Sequence, residues 1–154
     1  MPTLVCPDLG QIDFAEDEIL DFREGLPAFE TMKRFLLVQK AEVSPFMFLV
    51  SVDAPTLRFV CIPIRVIEPG YHFEIAAGDG ANLGLDDGAY SAAVESPLLL
   101  AIVTLPSQGA ATANLASPVV VDKQRRLGAQ VILPWGNYSH LTPLRPAAAV
   151  EELC

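Results

Sequence analysis

Cysteine is scarce and poorly placed for staples. There are three, Cys6, Cys61 and Cys154, an odd number at wide spacing. That argues against a disulfide framework, and the lack of a CxxC pair removes the usual zinc and redox signatures. Histidine is rarer still, with only His72 and His140. Long apolar runs are missing too. The longest, Leu98 to Leu105, is interrupted by Thr104 and falls far below the ~20 residues a membrane-spanning helix needs. Met1 to Gly10 has no basic start and no apolar segment, so no secretory signal is visible and a cytoplasmic location is the expectation. Walker, nucleophile-elbow and dinucleotide glycine patterns are all absent from the sequence, which leaves an enzyme without a motif to argue from.

Positive charge is the other shortage. Ten Lys and Arg stand against 19 Asp and Glu, a formal net charge of -9. The imbalance is uneven. Residues 1–30 hold eight acids (Asp8, Asp13, Glu16, Asp17, Glu18, Asp21, Glu24, Glu30) and one base, Arg23; residues 61–90 hold five acids and one base, Arg65. An acidic surface repels phosphates and draws basic partners in at long range. Neither direct nucleic-acid binding nor a membrane partner is expected.

What is present reads as strands. Thirteen prolines and ten glycines punctuate short runs rich in Val, Ile, Phe and Leu: "RFLLVQ", "FMFLVSV", "LRFVCIPI", "YHFEI", "LLLAIVTL", "PVVVD" and "AQVIL". Regular turn spacing between short apolar runs predicts an all-β sandwich or barrel. At 154 residues one domain is the simplest organisation, over residues 1–144, with 145–154 as a detachable tail. "LLLAIVTL" is apolar on both faces, which predicts a central strand covered on both sides. "YHFEI" alternates and predicts a half-exposed one. Short helical turns are expected near "FAEDE" and "DGANLGL".

Candidate chemistry is thin. His72 and Glu74 share one strand face and would supply two metal ligands, with no third in sight. His140 sits in a polar loop. Cys61, inside "RFVCIPI", reads as a buried inert thiol rather than a nucleophile. "DKQRRLG", between two apolar runs, predicts a hairpin with Gly128 at a positive φ or a bulge. Its bases Lys123, Arg125 and Arg126 raise an RNA contact as an alternative, without the flanking aromatics that single-strand binding uses. In "EGLPAFE", Gly25 permits a positive φ and Pro27 pushes Leu26 extended, a reversal that should drop Leu26 and Phe29 onto the core. Asn114 either caps a turn through its side chain or presents an amide to a partner. Catalytic residues, metal and cofactors are all expected to be none. The alternatives left open are an acidic β-domain binding another basic protein or RNA, and a hydrolase.

Several stretches carry a resemblance. "ILDFREGLPAFE", "KRFLLVQ", "SPFMFLVSVDAPTLRFV", "LLLAIVTLP", "TANLASPVVVD" and "AQVIL" follow one another as in the flagellar assembly factor FliW family, over about Gly10 to Leu133. The most specific matches are Phe22–Glu30, Ser44–Phe59 and Thr112–Pro118. Arg23 stands where the family usually has proline, and Ala28 where glycine is common. After Leu133 the match is loose. The resemblance implies an antiparallel β-barrel-like fold and a non-enzymatic, monomeric regulator. It implies two partners, flagellin and the carbon storage regulator CsrA, a small basic RNA-binding protein that represses flagellin translation. Flagellin held in the cytoplasm would occupy the factor; once flagellin is exported, the free factor would bind the regulator and relieve repression. Charge then suggests where the partners bind: Asp13, Glu16, Asp17, Glu18, Asp21, Glu24, Glu68 and Glu74, with Asn114 as the polar candidate.

Overall fold

Turn residues cut the chain into apolar runs, and the runs become strands. The computed structural model describes residues 2–6, 9–26, 28–71, 98–106, 109–123, 125–131 and 138–144. Its strands are β1 (Thr3–Cys6), β2 (Gly10–Asp13), β3 (Leu20–Asp21), β4 (Arg34–Gln39), β5 (Met47–Ser51), β6 (Arg58–Pro63), β7 (Leu98–Thr104), β8 (Thr112–Ala113), β9 (Val119–Asp122), β10 (Leu127–Gln130) and β11 (Thr142–Pro143). Among the described residues, helix is limited to a one-turn α1 (Ile64–Ile67) and 3-10 turns at Glu16–Glu18 and Ala41–Val43. The first 3-10 turn is the one expected from "FAEDE". "DGANLGL", the tail 145–154 and all of "YHFEI" after Tyr71 lie outside the described residues.

Seven strands close a ring in the order β3-β4-β5-β6-β7-β9-β10 and back to β3. This is the all-β barrel the sequence predicts. Among the described residues one ladder departs from the antiparallel rule: β10 pairs with β3 in parallel, through Leu127 opposite Asp21. The reason is parity. Directions cannot alternate all the way round a ring with an odd number of strands, so one neighbouring pair must run the same way. The Asp21 amide donates to the Arg126 carbonyl at 2.8 Å and ties this seam. β8 pairs with β7, and β11 with β8. β1 and β2 form a separate hairpin.

Successive side chains on a strand point to opposite faces, and here both faces are buried. Leu20, Phe35, Leu49, Cys61, Leu100, Val119 and Val121 form one core with Phe22 and Leu26. Among the described residues it draws on strands around the ring, and the buried side chains it takes from outside the strands, Phe22 and Leu26, follow β3, so it is the barrel's inside. The alternate residues, Leu36, Val50, Val60, Ala101, Val120 and Ala129 among them, form a second core with Leu4, Cys6, Phe14, Ile64, Tyr71 and Leu115. That core coats the outside, under the β1–β2 hairpin and α1. β7 is the two-sided strand expected from "LLLAIVTL": Leu100 faces inward and Leu99, Ala101 and Val103 outward.

The "DKQRRLG" hairpin forms between β9 and β10, but its positive φ lies elsewhere than expected. Arg126 adopts φ 58°, while Gly128 is a strand residue. Gly128 is needed for space. A Cβ there would stand 2.4 Å from the Phe22 ring, which fills the inside of the barrel.

Candidate functional site

The acidic residues of the stretch 13–24 (Asp13, Glu16, Asp17, Glu18, Asp21 and Glu24) are all exposed along one path of the chain. Asp13 ends β2, exposed, and its Oδ1 accepts a hydrogen bond from the Thr3 hydroxyl at 2.8 Å. Glu16, Asp17 and Glu18 make the exposed 3-10 turn. The Ala15 amide donates to Glu18 Oε1 at 2.9 Å, which closes the turn on itself. Asp21 on β3 and Glu24 just beyond it are also exposed.

Bases border this path, which the linear sequence does not suggest. Arg34 on β4 lies directly opposite Asp21. Its guanidinium pairs with Asp53 at 2.7 Å. That hydrogen bond, with the fields of Asp53 and Glu16, raises the Arg34 pKa, while the Arg34 bond holds the Asp53 carboxyl below its usual value. On the other side, the Arg126 carbonyl accepts the Asp21 amide. The hairpin tip carrying Lys123, Arg125 and Arg126 is therefore attached to the strand next to Asp21. Within the tip, Arg125 reaches Asp122 at 3.8 Å. Glu68 belongs to a different part of the ring. It is exposed at the C-terminal end of α1, which packs on β6 and β7. Glu74 lies outside the described residues.

Asn114 is built into a turn. Its Oδ1 accepts the amides of Ala116 and Ser117, both at 3.1 Å. The neighbouring backbone is tied on two sides: the Leu115 amide donates to Ser139 O, and the Tyr71 hydroxyl donates to Leu115 O at 2.6 Å. Burial raises the Tyr71 pKa above the usual phenol range, and the ring lies against Tyr138 with centroids 4.2 Å apart.

The "EGLPAFE" turn is a second surface feature. Gly25 has φ 67°, and a Cβ on it would meet the Glu30 backbone at 2.6 Å, so no other residue fits. Ala28 has φ 71°, the left-handed region where glycine is at ease and other residues are strained. This is the position where the resemblance places glycine. Leu26 is 1% exposed and plugs the barrel, as expected. Phe29 is 38% exposed and only half fulfils its expected role. Its ring meets Phe59 edge-on at 5.6 Å, at the rim where Phe59 in turn approaches the buried Phe35. The pairing of Leu26 with Phe29 reverses the chain too tightly for both side chains to enter. Pro27 lies outside the described residues.

For chemistry, the described residues offer little. Cys61 is enclosed inside the barrel, and burial pushes its thiol up to about 12. A thiol this far above neutrality is not a thiolate nucleophile at pH 7. His140 is exposed in its loop, and His72 lies outside the described residues. Among the described residues, no three His, Cys, Asp or Glu side chains gather to hold a metal, and no helix is long and apolar enough to cross a membrane.

A seven-stranded β-barrel coated on its outer wall, with an acidic path beside its seam, defines the class of protein. The family model described as FliW protein matches residues 5–144, and the chain belongs to that family. It is 34% identical over 143 residues to the flagellar assembly factor FliW of Natranaerobius thermophilus, covering 92% of this chain and 91% of that one. It is 35% identical over 151 residues to the same-named protein of Carboxydothermus hydrogenoformans, covering 97% and 92%. A solved crystal structure of the flagellar assembly factor FliW superposes with a TM-score of 0.78 at 31% identity, covering 94% of this chain and 98% of that one.

Proposed function

We propose that this protein is a non-enzymatic cytoplasmic regulator with two competing protein partners. It holds newly made flagellin, and when free of flagellin it binds the basic carbon storage regulator CsrA and relieves repression of flagellin translation. The observation that carries the reading is family membership over nearly the whole chain, residues 5–144. The acidic path 13–24 supports it physically. A protein of net charge -9 meets a basic partner quickly, and salt slows that encounter. In this reading the path, with Glu68 and Glu74, receives the regulator, and the monomer is the working form.

A three-way pull-down of purified protein, flagellin and regulator tests it. Flagellin should displace the regulator in proportion to its concentration. Both partners remaining bound together at saturation would end the competition model. Charge reversal at Asp17, Glu18 and Glu68 should slow association with the regulator mainly at low salt; equal on-rates at low and high salt would remove the acidic path from the mechanism.

A further inference from the structure

Most of the "EGLPAFE" turn is explained by the fold: Gly25 by its φ and lack of space, Leu26 by its burial in the barrel mouth. Phe29 is not. Among the described residues it is the aromatic one of the exposed large apolar side chains, at 38%. The backbone holds it in place through Ala28, a non-glycine residue at φ 71°. Strain of this kind persists where the surrounding structure maintains it, often at sites of contact. The Ala28 amide donates to Glu30 Oε1 at 3.3 Å, which fixes one acidic side chain beside the ring. Glu24, at the other end of the turn, is also exposed. The Phe29 ring rests on half-buried Phe59, and half-buried Met32, whose amide donates to the Phe29 carbonyl, accepts at its sulfur from Ser51 Oγ at 3.8 Å. Aromatic and methionine side chains provide large, adaptable apolar contact.

We propose that this turn is a docking point for an amphipathic helix of a partner protein. Phe29 is its apolar anchor, and Glu24 and Glu30 receive basic residues flanking the helix's apolar face. The charge pattern selects the occupant. A ring with a carboxylate at each end of its turn, on a chain of net charge -9, favours an apolar segment edged with Lys or Arg and disfavours a second copy of this acidic chain. Helices dock on such surfaces through apolar side chains spaced three and four residues apart, with one aromatic carrying much of the affinity. The inference rests on the reading above, in which the helix belongs to flagellin; its site meets the regulator's acidic path at Glu24, so the two partners compete for that carboxylate.

The test compares Phe29→Ser, Phe29→Leu and a Glu24→Lys, Glu30→Lys double variant. Each is titrated with monomeric flagellin, with the regulator, and with a synthetic leucine-lysine amphipathic helix as an independent probe, and each is melted. Phe29→Ser should weaken flagellin and probe binding by about tenfold or more, with an unchanged melting temperature and unchanged regulator binding. Phe29→Leu should retain most of the affinity, and the charge-reversed variant should lose its salt-sensitive part. Wild-type affinity for both flagellin and probe in Phe29→Ser would overturn the proposal. So would loss of all three ligands together with a lowered melting temperature, or a wild-type dimer abolished by the substitution. Phe29-dependent binding of the probe without any flagellin binding would keep the docking point and sink the flagellin reading. Binding of neither would end both.

Discussion

Gly128→Ala is a small change whose sign the structure decides. In the middle of a strand, replacing glycine with alanine ordinarily stabilises by about 0.5–1 kcal/mol, because glycine loses more backbone freedom on folding. Here the added Cβ would meet three Phe22 ring atoms at 2.4, 2.5 and 2.9 Å. Ordinary carbon contact begins near ~3.5 Å, so the ring must retreat by roughly 1 Å. It has nowhere to go. Phe22 is 0% exposed, and its edge already rests on Phe35, also 0% exposed, at 5.1 Å. Overpacking of a closed core costs about 1–3 kcal/mol, which exceeds the backbone gain. The net loss is about 0.5–2 kcal/mol, and on a chain of this size that lowers the melting temperature by about 1–8 °C. Circular-dichroism melts and urea titrations with an unchanged slope would measure it. A Phe22→Leu change in the same chain should recover about 1 kcal/mol relative to additivity, because the smaller side chain makes room. An unchanged or raised melting temperature for Gly128→Ala would refute the packing argument, and strict additivity of the two changes would refute the contact.

Other consequences follow from individual residues. Asn114→Ala removes the acceptor for two amides and should cost about 1–2 kcal/mol in thermal or urea melts; full stability with weakened partner binding would move Asn114 from the turn to the interface. At Ala28, glycine should be neutral or mildly stabilising, since relief of a left-handed conformation offsets its larger unfolded-state freedom, whereas valine should cost more than ~1 kcal/mol. A tolerated valine, read from the same melts, would contradict the φ assigned there. Cys61 titrates higher folded than unfolded, so the folded state binds its proton more tightly: this contribution is complete below the ordinary thiol pKa of 9.0 and is lost as pH rises towards about 12. Stability above pH 9 should therefore fall less steeply in Cys61→Ala than in wild type, and equal slopes would argue against a protonated, enclosed thiol. Asp21→Lys should lower the melting temperature through repulsion from Arg34 and the hairpin tip, while Asp17→Lys should leave it unchanged and slow association with a basic partner; the reverse pattern in melts and stopped-flow rates would mean that the seam does not depend on charge.

Much of the barrel was legible because its strands are short apolar runs separated by turn residues, and a strand with apolar residues at both alternate positions must be covered on both sides. β7 is the clearest instance. The closure was not legible. β3 is two residues long, Leu20 and Asp21, and reaches β10 through one pair more than a hundred positions along the chain. A pair of residues has no measurable periodicity, so tertiary context alone assigns it. The Gly128 expectation failed for a related reason. Turn chemistry reads glycine as a release of φ, but this glycine exists because Phe22, distant in sequence, occupies the volume where a side chain would lie. Asn114 could be anticipated because its bonds are local, to residues two and three positions ahead.

The acidic path shows why composition locates a charged site less well than it describes a charged protein. Counting residues placed six acids between Asp13 and Glu24, but not Arg34 opposite Asp21, nor the Arg126 backbone bonded to Asp21. At physiological salt, exposed charges are largely screened beyond about 8 Å. Close to the path, the bases are engaged by other acids: Arg34 by Asp53 at 2.7 Å and Arg125 by Asp122 at 3.8 Å. The long-range attraction for a basic partner is thus a property of the whole chain, carried by its net charge of -9. In the proposed reading, recognition at close range falls to what is best held: the 3-10 turn Glu16–Glu18, which the Ala15 amide closes, and an aromatic ring that the barrel leaves partly uncovered. Steering and grip therefore belong to different residues, and a mutation that slows the encounter need not loosen the complex.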